Sequence, residues 1–183
     1  MNNYQVRVKK FTDLELLRVC NEATSGKPSS QLLESAYRSE HSTIRSQMFK
    51  IDMYDIPSFV SVHLVRHQIG ITHYVRSNRI DRGGDPCANR CTPVNHSMIL
   101  NAQAIINIMR KRLCYKASPE TRQICKTIKE YIGKVDPDLH KFLVPECVYR
   151  NGLCPEPVTC GKIKLQMQRY SFYKEWFKEE NRG

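Results

Sequence analysis

The residues with the clearest chemical potential in this chain lie in one segment, RHQIGITHYVRSNR, which begins at Arg66. Its Arg66-His67 pair follows an apolar stretch with helical spacing, and a strand-like stretch then leads to Arg76, Ser77 and Arg79. A guanidinium is a planar fork of N–H donors that matches the oxygens of a phosphate group. The segment therefore predicts a site for a phosphorylated ligand. The alternative is a basic strand whose charges only face solvent.

The charge of the whole chain also favours an anionic ligand. Its 29 lysines and arginines outnumber its 18 acidic residues, which gives a net charge of +11. Nucleic acid, nucleotides and phosphorylated cofactors all fit such an excess, and charge alone does not choose among them. A second basic stretch, NAQAIINIMRKRL, begins at Asn101 and has its apolar residues at helical spacing.

Eight cysteines are expected to be free thiols or metal ligands, because no signal peptide marks the chain for an oxidising compartment. Cys114 and Cys125 lie in helical patterns and are expected to be small buried hydrophobes. Five others lie in loops with Pro or Gly and are weak candidates for zinc, although no CxxC pair is present: Cys87, Cys91, Cys147, Cys154 and Cys160.

The order of elements predicts a single α/β domain. The length of 183 residues suffices for one buried core. We place this domain at 1–163 and an aromatic, charged tail at 164–183. No apolar run is long enough to span a membrane, so a cytoplasmic protein is expected.

Apolar periodicity and capping residues predict where the elements lie. Strands are expected over 4–11, within 44–55 and over 70–80. Helices are expected over 13–24, 31–39, 57–67, 94–113, 119–132 and 137–142. The helix over 94–113 would carry Ile99, Ile105 and Met109 in its apolar stripe. His73 and His96 are expected at the surface or the edge of the core, with no assigned role.

The Arg66-His67 pair at the end of an apolar helix resembles the signature R-H-R-x-x-S of the flavin-dependent thymidylate synthases. His41, in the stretch SEHS, stands where that family often has Glu-His. The later stretch LNAQAIINIMRKR resembles the family's Asn-Ala-Arg-Ser helix. The matches occur in the family's order over about 40–122, and the resemblance implies a mixed or antiparallel sheet packed by helices.

Several positions depart from the family pattern. The second Arg of the signature is Gln68 here, and its Ser is Ile71. His63 replaces a Gln, and the family's later Glu, Ser and Arg are replaced as well, in order by Tyr74, Arg76 and Asn78. The flavin-side residues are kept better than the nucleotide-side residues, so the resemblance is to a divergent member.

The resemblance implies an enzyme that uses FAD, NADPH and methylenetetrahydrofolate to methylate C5 of dUMP, giving dTMP. Family members are homotetramers with FAD at the subunit junctions. The expected FAD contacts are His41, Arg66, His67, Gln68, Asn101 and Asn107. The expected substrate contacts are His63, Arg76, Ser77, Arg79 and Arg112, with Arg112 as the catalytic residue that polarises the pyrimidine.

Other interpretations stay open from the sequence. His67 could only cap a helix, and His41 could only tie a strand to a turn. Asn101 and Asn107 would be about 240° apart on one helix, so they would not share a face. The chain could also modify a pyrimidine nucleotide differently, giving a hydroxymethyl product or acting on dCMP. A non-catalytic nucleotide-binding or nucleic-acid-binding relative is the third possibility.

Overall fold

The computed structural model describes residues 4–28, 30, 32–76 and 79–173. Its centre is a four-stranded antiparallel sheet with the order β1-β2-β4-β3. The strands are β1 (Gln5–Lys10), β2 (Met48–Pro57), β3 (Ile71–Val75) and β4 (Pro93–Asn101). The predicted α/β class with an antiparallel sheet is therefore confirmed.

Helices pack around this sheet and supply most of the remaining core. They are α1 (Leu14–Ser25), α2 (Leu33–Arg38), α3 (Ser58–Val65), α4 (Ala102–Arg112), α5 (Pro119–Val135), α6 (Pro137–Phe142), α7 (Glu146–Tyr149) and α8 (Ile163–Arg169). Short 3-10 turns lie at Ser42–Ser46 and Ile80–Arg82. Within the described ranges, no helix is both long enough and apolar enough to cross a membrane.

Helix caps begin several helices where the sequence predicted them. The Asp13 carboxylate accepts a hydrogen bond from the Leu16 amide at 3.1 Å and begins α1. The Ser118 hydroxyl accepts one from the Thr121 amide before Pro119 begins α5. Such caps satisfy amides that have no partner inside the helix.

The long helix expected over 94–113 is wrong in its first half. β4 spans Pro93–Asn101, and every second residue from Val94 is buried, which is the period of a strand. Ile99, expected in the helical stripe, lies on the other face and is only partly buried. A run of apolar residues fits both periods when it is short, and the helix begins only where Asn101 caps it.

Three other boundaries of elements differ from prediction. The strand expected over 70–80 ends at Val75, the last residue of β3. The strand expected within 44–55 begins at Met48, because a 3-10 turn precedes it. Helix α5 continues past Gly133 to Val135, and a Cβ at position 133 would lie only 3.0 Å from the His140 ring. Glycine thus lets α6 pack against α5. Of the segment 164–183, residues 164–173 are described, and Met167, Tyr170 and Tyr173 are buried in the core.

Candidate functional site

The loop between α3 and β3 and one face of α4 line an open cleft of about 340 Å³. The lining residues are Arg66, His67, Gln68, Ile69, Ile71, Ala104 and Asn107. They combine a guanidinium and two carboxamides with apolar side chains. One of these, the Ile69 side chain, is 90% exposed. Such a lining suits a ligand that has both an aromatic ring and polar groups. Four of the expected cofactor residues thus meet here: Arg66, His67, Gln68 and Asn107.

The other two expected cofactor residues have local structural contacts. Asn101 caps α4, since its Oδ1 accepts from the Ala104 amide at 2.9 Å. Its side chain also lies against Gly70, where an added Cβ would be 2.6 Å from the side-chain nitrogen Nδ2 of Asn101. Gly70 has φ +74°, so glycine suits this turn for two reasons. His41 caps the 3-10 turn, with its Nδ1 2.9 Å from the Thr43 hydroxyl, and does not line the cleft.

Arg112 fixes His67 at the edge of the cleft. Its Nε donates to His67 Nε2 at 3.1 Å, and its Nη2 donates to the His63 carbonyl at 2.6 Å. Burial, with further help from the charges of Arg112 and His73, lowers the pKa of His67 to about 4. The ring is therefore neutral at pH 7, and because Nε2 accepts, its proton lies on Nδ1. His67 is a hydrogen-bond donor held in one orientation.

A chain of hydrogen bonds also holds the loop between α3 and β3. His73 Nε2 lies 2.6 Å from the His67 carbonyl, His73 Nδ1 lies 3.0 Å from His96 Nε2, and His96 Nδ1 lies 3.1 Å from the Ser61 hydroxyl. A carbonyl can only accept, so the proton direction is fixed: Ser61 donates to His96, His96 to His73, and His73 to the carbonyl. The sequence expectation that gave His96 a surface or core-edge position is wrong, because the ring is fully buried. Recognition of strand alternation in β4 would have found it.

We expect His96, within this chain of hydrogen bonds, to make the stability of the protein depend on pH. Burial, followed by the charge of His73, lowers the pKa of His96 to about 4. The ordinary value is about 6.5, so between these values the unfolded chain binds a proton that the folded chain does not. The contribution is complete above about pH 6.5 and is lost as the pH falls towards 4. From pH 7 to 4.5, His96 should lower the free energy of unfolding by about 2–3 kcal/mol.

Urea unfolding at several pH values measures this dependence. His96→Asn should lose less stability than wild type below pH 6.5. His41→Gln, which changes a histidine outside the hydrogen-bond chain, should lose as much as wild type. Equal slopes for wild type and His96→Asn would contradict the assignment.

A second polar cluster connects α4 to the turn before β2. Glu40 forms an ion pair with Arg110 and accepts from the Gln103 amide at 2.7 Å. Burial opposes ionisation of Glu40, but the hydrogen bonds from Arg110 and Gln103 outweigh it and lower its pKa. Gln103 also donates, at 3.4 Å, to the side-chain oxygen of Asn107, and Asn107 lines the cleft. Sequence reasoning singled out His41 and missed Glu40, its neighbour in the stretch SEHS.

Of the expected nucleotide contacts, Arg112 lies at the edge of this cleft through His67, whereas His63, Arg76 and Arg79 do not line it. Arg76 is exposed just after β3, and Arg79 forms a two-pronged ion pair with Asp81, with contacts of 2.9 and 2.7 Å. The edge strand separates Arg76 from Ile71 by roughly 16 Å, at the usual rise per residue. His63 Nδ1 lies 2.9 Å from the Thr121 hydroxyl of α5. Ser77 lies outside the described residues.

The structure divides the cysteines differently from the sequence expectation. Cys147, Cys154 and Cys160 line one pocket together with Cys114, so Cys114 is not simply a buried hydrophobe. Cys125 is buried as expected. Cys87 and Cys91 are exposed in the loop before β4, apart from this pocket.

Comparison with known proteins adds sequence relatives over part of the chain. No model of a known protein family matches the chain. A flavin-dependent thymidylate synthase from Clostridium tetani is 39% identical over 72 residues, which are 39% of this chain and 28% of that protein. Another, from Sulfurisphaera tokodaii, is 30% identical over 82 residues, 44% of this chain and 32% of that protein. The chain spans less than a third of the length of these curated relatives.

Solved structures share the fold over a longer part of the chain. The UMP/dUMP methylase PolB from Streptomyces cacaoi, bound with 5-Br dUMP, has a TM-score of 0.60 at 13% identity, over 77% of this chain and 94% of that chain. Thymidylate Synthase X from Helicobacter pylori, with FAD and dUMP, has a TM-score of 0.60 at 14% identity, over 79% and 98%. The architecture is thus of the thymidylate synthase X type. The chain therefore resembles the flavin-dependent thymidylate synthases in sequence over part of its length and in fold over most of it.

Proposed function

We propose that the chain is an enzyme that transfers a one-carbon unit from methylenetetrahydrofolate to C5 of dUMP, with FAD as cofactor and NADPH as reductant, giving dTMP. The observation that carries this proposal is the cleft in which Arg66, Gln68 and Asn107 meet beside a His67 ring that Arg112 holds. The sequence relatives are flavin-dependent thymidylate synthases, and the structures with this fold hold dUMP or a brominated analogue.

The lining of the cleft fits a flavin. The carboxamides of Gln68 and Asn107 match the carbonyl and imide groups of its ring, and the Arg66 cation matches its pyrophosphate. FAD would supply the redox chemistry between reductant and pyrimidine. Gln68 is neutral where the related signature has Arg, so this chain places less positive charge beside the ring. The residues themselves orient the ligands and place hydrogen-bond donors.

We further propose that the site is completed by other copies of the chain in a homotetramer. A cleft of about 340 Å³ is at the small end for a cofactor site. Among the described residues, the edge strand β3 pairs on only one side, and apolar residues are exposed along and around it, namely Ile69, Tyr74, Val75 and Ile80. Such an edge suits contact with another copy. A stable monomer in light scattering at micromolar concentration with FAD would contradict this assembly.

A direct assay tests the reaction. The purified protein is incubated with FAD, NADPH, methylenetetrahydrofolate and either dUMP or dCMP. The mass of the nucleotide is then measured by mass spectrometry. We expect dUMP to gain one CH₂ group. Gain of CH₂O, or reaction of dCMP alone, would replace the proposed reaction by a related pyrimidine modification. Unchanged mass of both nucleotides would reject catalysis.

Arg66→Ala should weaken FAD binding more than about tenfold, because a charge-assisted contact is worth about 1.5–3 kcal/mol. Fluorescence titration with FAD measures this loss. Lys27→Ala, which removes one exposed cation beyond the end of α1, is the matched control and should bind FAD like wild type. Equal affinity of Arg66→Ala and Lys27→Ala would remove Arg66 from the site.

Arg76→Ala should weaken binding of the nucleoside monophosphate by about 1.5–3 kcal/mol and spare the nucleoside, if Arg76 holds the phosphate. Arg79→Ala should have the smaller effect, because Asp81 already occupies the Arg79 guanidinium. Calorimetry with dUMP and deoxyuridine distinguishes the two contributions. Loss of the same size for both ligands would exclude a phosphate contact by Arg76.

A further inference from the structure

Four cysteines from separate parts of the chain line one small pocket of about 50 Å³. Cys114 follows the end of α4, Cys147 lies in α7, and Cys154 and Cys160 lie in the irregular segment that precedes α8. Burial raises the pKa of the Cys114 thiol, and the charges of Cys160 and Cys154 raise it further. Cys147 is close enough to the other three to feel their charge. Four cysteine side chains that line one pocket offer the ligand types of a structural zinc site.

The irregular segment 150–162 has little else to hold it in place. Among the described residues, no backbone amide from 154 to 162 donates to a backbone carbonyl. Leu153 and Val158 are mostly exposed, so apolar burial contributes little there. The Lys116–Glu156 ion pair, at 3.7 Å, is partly exposed and is worth little by itself. A metal that binds two residues of this segment would supply the missing anchor.

The surroundings of the pocket also suit bound thiolates. Zinc with four thiolates carries a net charge of about −2. Arg110, Lys111 and Lys116 line the pocket. Arg110 pairs with Glu40 and Lys116 with Glu156, so Lys111 would balance part of that charge. Of the two carboxylates there, Glu146 is paired with Arg150 and Glu156 with Lys116.

We propose that Cys114, Cys147, Cys154 and Cys160 bind one structural zinc ion, which fastens the segment 150–162 to the end of α4. As their side chains stand, no three metal-binding groups among the described residues converge at ligand spacing. Formation of the site therefore requires the thiols to turn towards the pocket they line. The zinc would lie next to the helix end that carries Arg110 and Arg112, and so would support the cleft without taking part in chemistry.

Metal analysis of the full chain tests the site without any assay of activity. Protein purified under reducing conditions from zinc-supplemented medium should hold about one zinc per chain. Cys154→Ser and Cys160→Ser should each fall below about one fifth of that content. Cys87→Ser and Cys91→Ser, exposed cysteines of another loop, are the matched controls and should keep it. A strong chelator should lower the melting temperature of wild type and not that of Cys160→Ser.

Three results would overturn the proposal. The first is wild-type protein with less than about one fifth of a zinc per chain after incubation with zinc and reductant. The second is a Cys154→Ser, Cys160→Ser double variant that keeps full zinc content. The third is a non-reducing mass that lacks four hydrogens in protein purified without reductant and free of metal, since that would make the cluster a pair of disulfides.

Discussion

Replacement of Arg112 by alanine should lower turnover by roughly a hundredfold to a thousandfold, because displacement of a positioned group by about 1 Å already costs that order. Arg112 is the contact that connects α4 to both the His67 ring and the end of α3. Without it, His67 loses the donor to its Nε2, and the His63 carbonyl loses its partner. Stability should fall by about 2–4 kcal/mol, since partly buried partners of a charged group are left unsatisfied.

Arg112→Lys should not restore activity. Lysine is a single point donor on a flexible stem and does not reproduce a planar fork that reaches the His67 ring and the His63 carbonyl together. Arg122→Ala is the matched control, because Arg122 also donates to two backbone positions, the carbonyls of Tyr115 and Ala117, but from α5. Its FAD affinity and turnover should stay within about threefold of wild type.

The pKa of His67 separates a positioning role from simple unfolding. Burial is the larger cause of its depression to about 4, and the charge of Arg112 is the next. In Arg112→Ala the pKa should therefore rise towards 6.5 in the folded protein, as NMR titration would show. Arg112→Ala protein that keeps wild-type turnover and an unchanged His67 pKa would disprove the assigned role.

Sequence patterns predicted the elements that have strong local signals. Asp13 and Ser118 are cap residues whose hydrogen bonds depend on residues three positions away, so the sequence contains the whole interaction. β4 was harder, because an apolar stretch running directly into a helix shows no turn at the boundary. The boundary signal was Asn101, whose side chain caps α4 and whose resemblance to a family residue favoured a ligand role instead.

The candidate site was predictable in its residue types but not in its contacts. Arg66, Gln68 and Asn107 meet because α3, β3 and α4 pack together, and no local pattern encodes such packing. The contact of Arg112 with His67 spans 45 residues of sequence. The chain of hydrogen bonds through His96 forms only when β3 pairs with β4, a pairing in which Val75 lies opposite His96. The two asparagines do not meet in the cleft, but the reason differs from the expected helical rotation: Asn101 precedes the helix and caps it, whereas Asn107 lines the cleft.

Asp136→Ala should be the most destabilising single substitution outside the cleft, at about 3–5 kcal/mol. The Asp136 side chain is fully buried between α5 and α6. One carboxylate oxygen accepts from the Lys10 ammonium and from the Tyr37 hydroxyl, each at 2.7 Å. The other accepts from the Leu139 amide at 2.9 Å and caps α6. Alanine would leave a nearly buried ammonium, a buried hydroxyl and a helix amide without their acceptor.

Graded substitutions test this assignment in urea unfolding. Asp136→Asn keeps a cap acceptor for Leu139 but loses the charge that balances Lys10, so its loss should be smaller than that of Asp136→Ala. Asp138→Ala is the matched control, because Asp138 pairs with Lys141 where both are partly exposed, and it should cost less than about 1 kcal/mol. Equal stability of the two alanine variants would contradict the role of Asp136. Neither Asp136 nor its hydrogen-bond partners line the cleft, so folded Asp136→Ala protein should bind FAD like wild type. Arg112→Ala should not, because it removes the donor to His67, which lines the cleft.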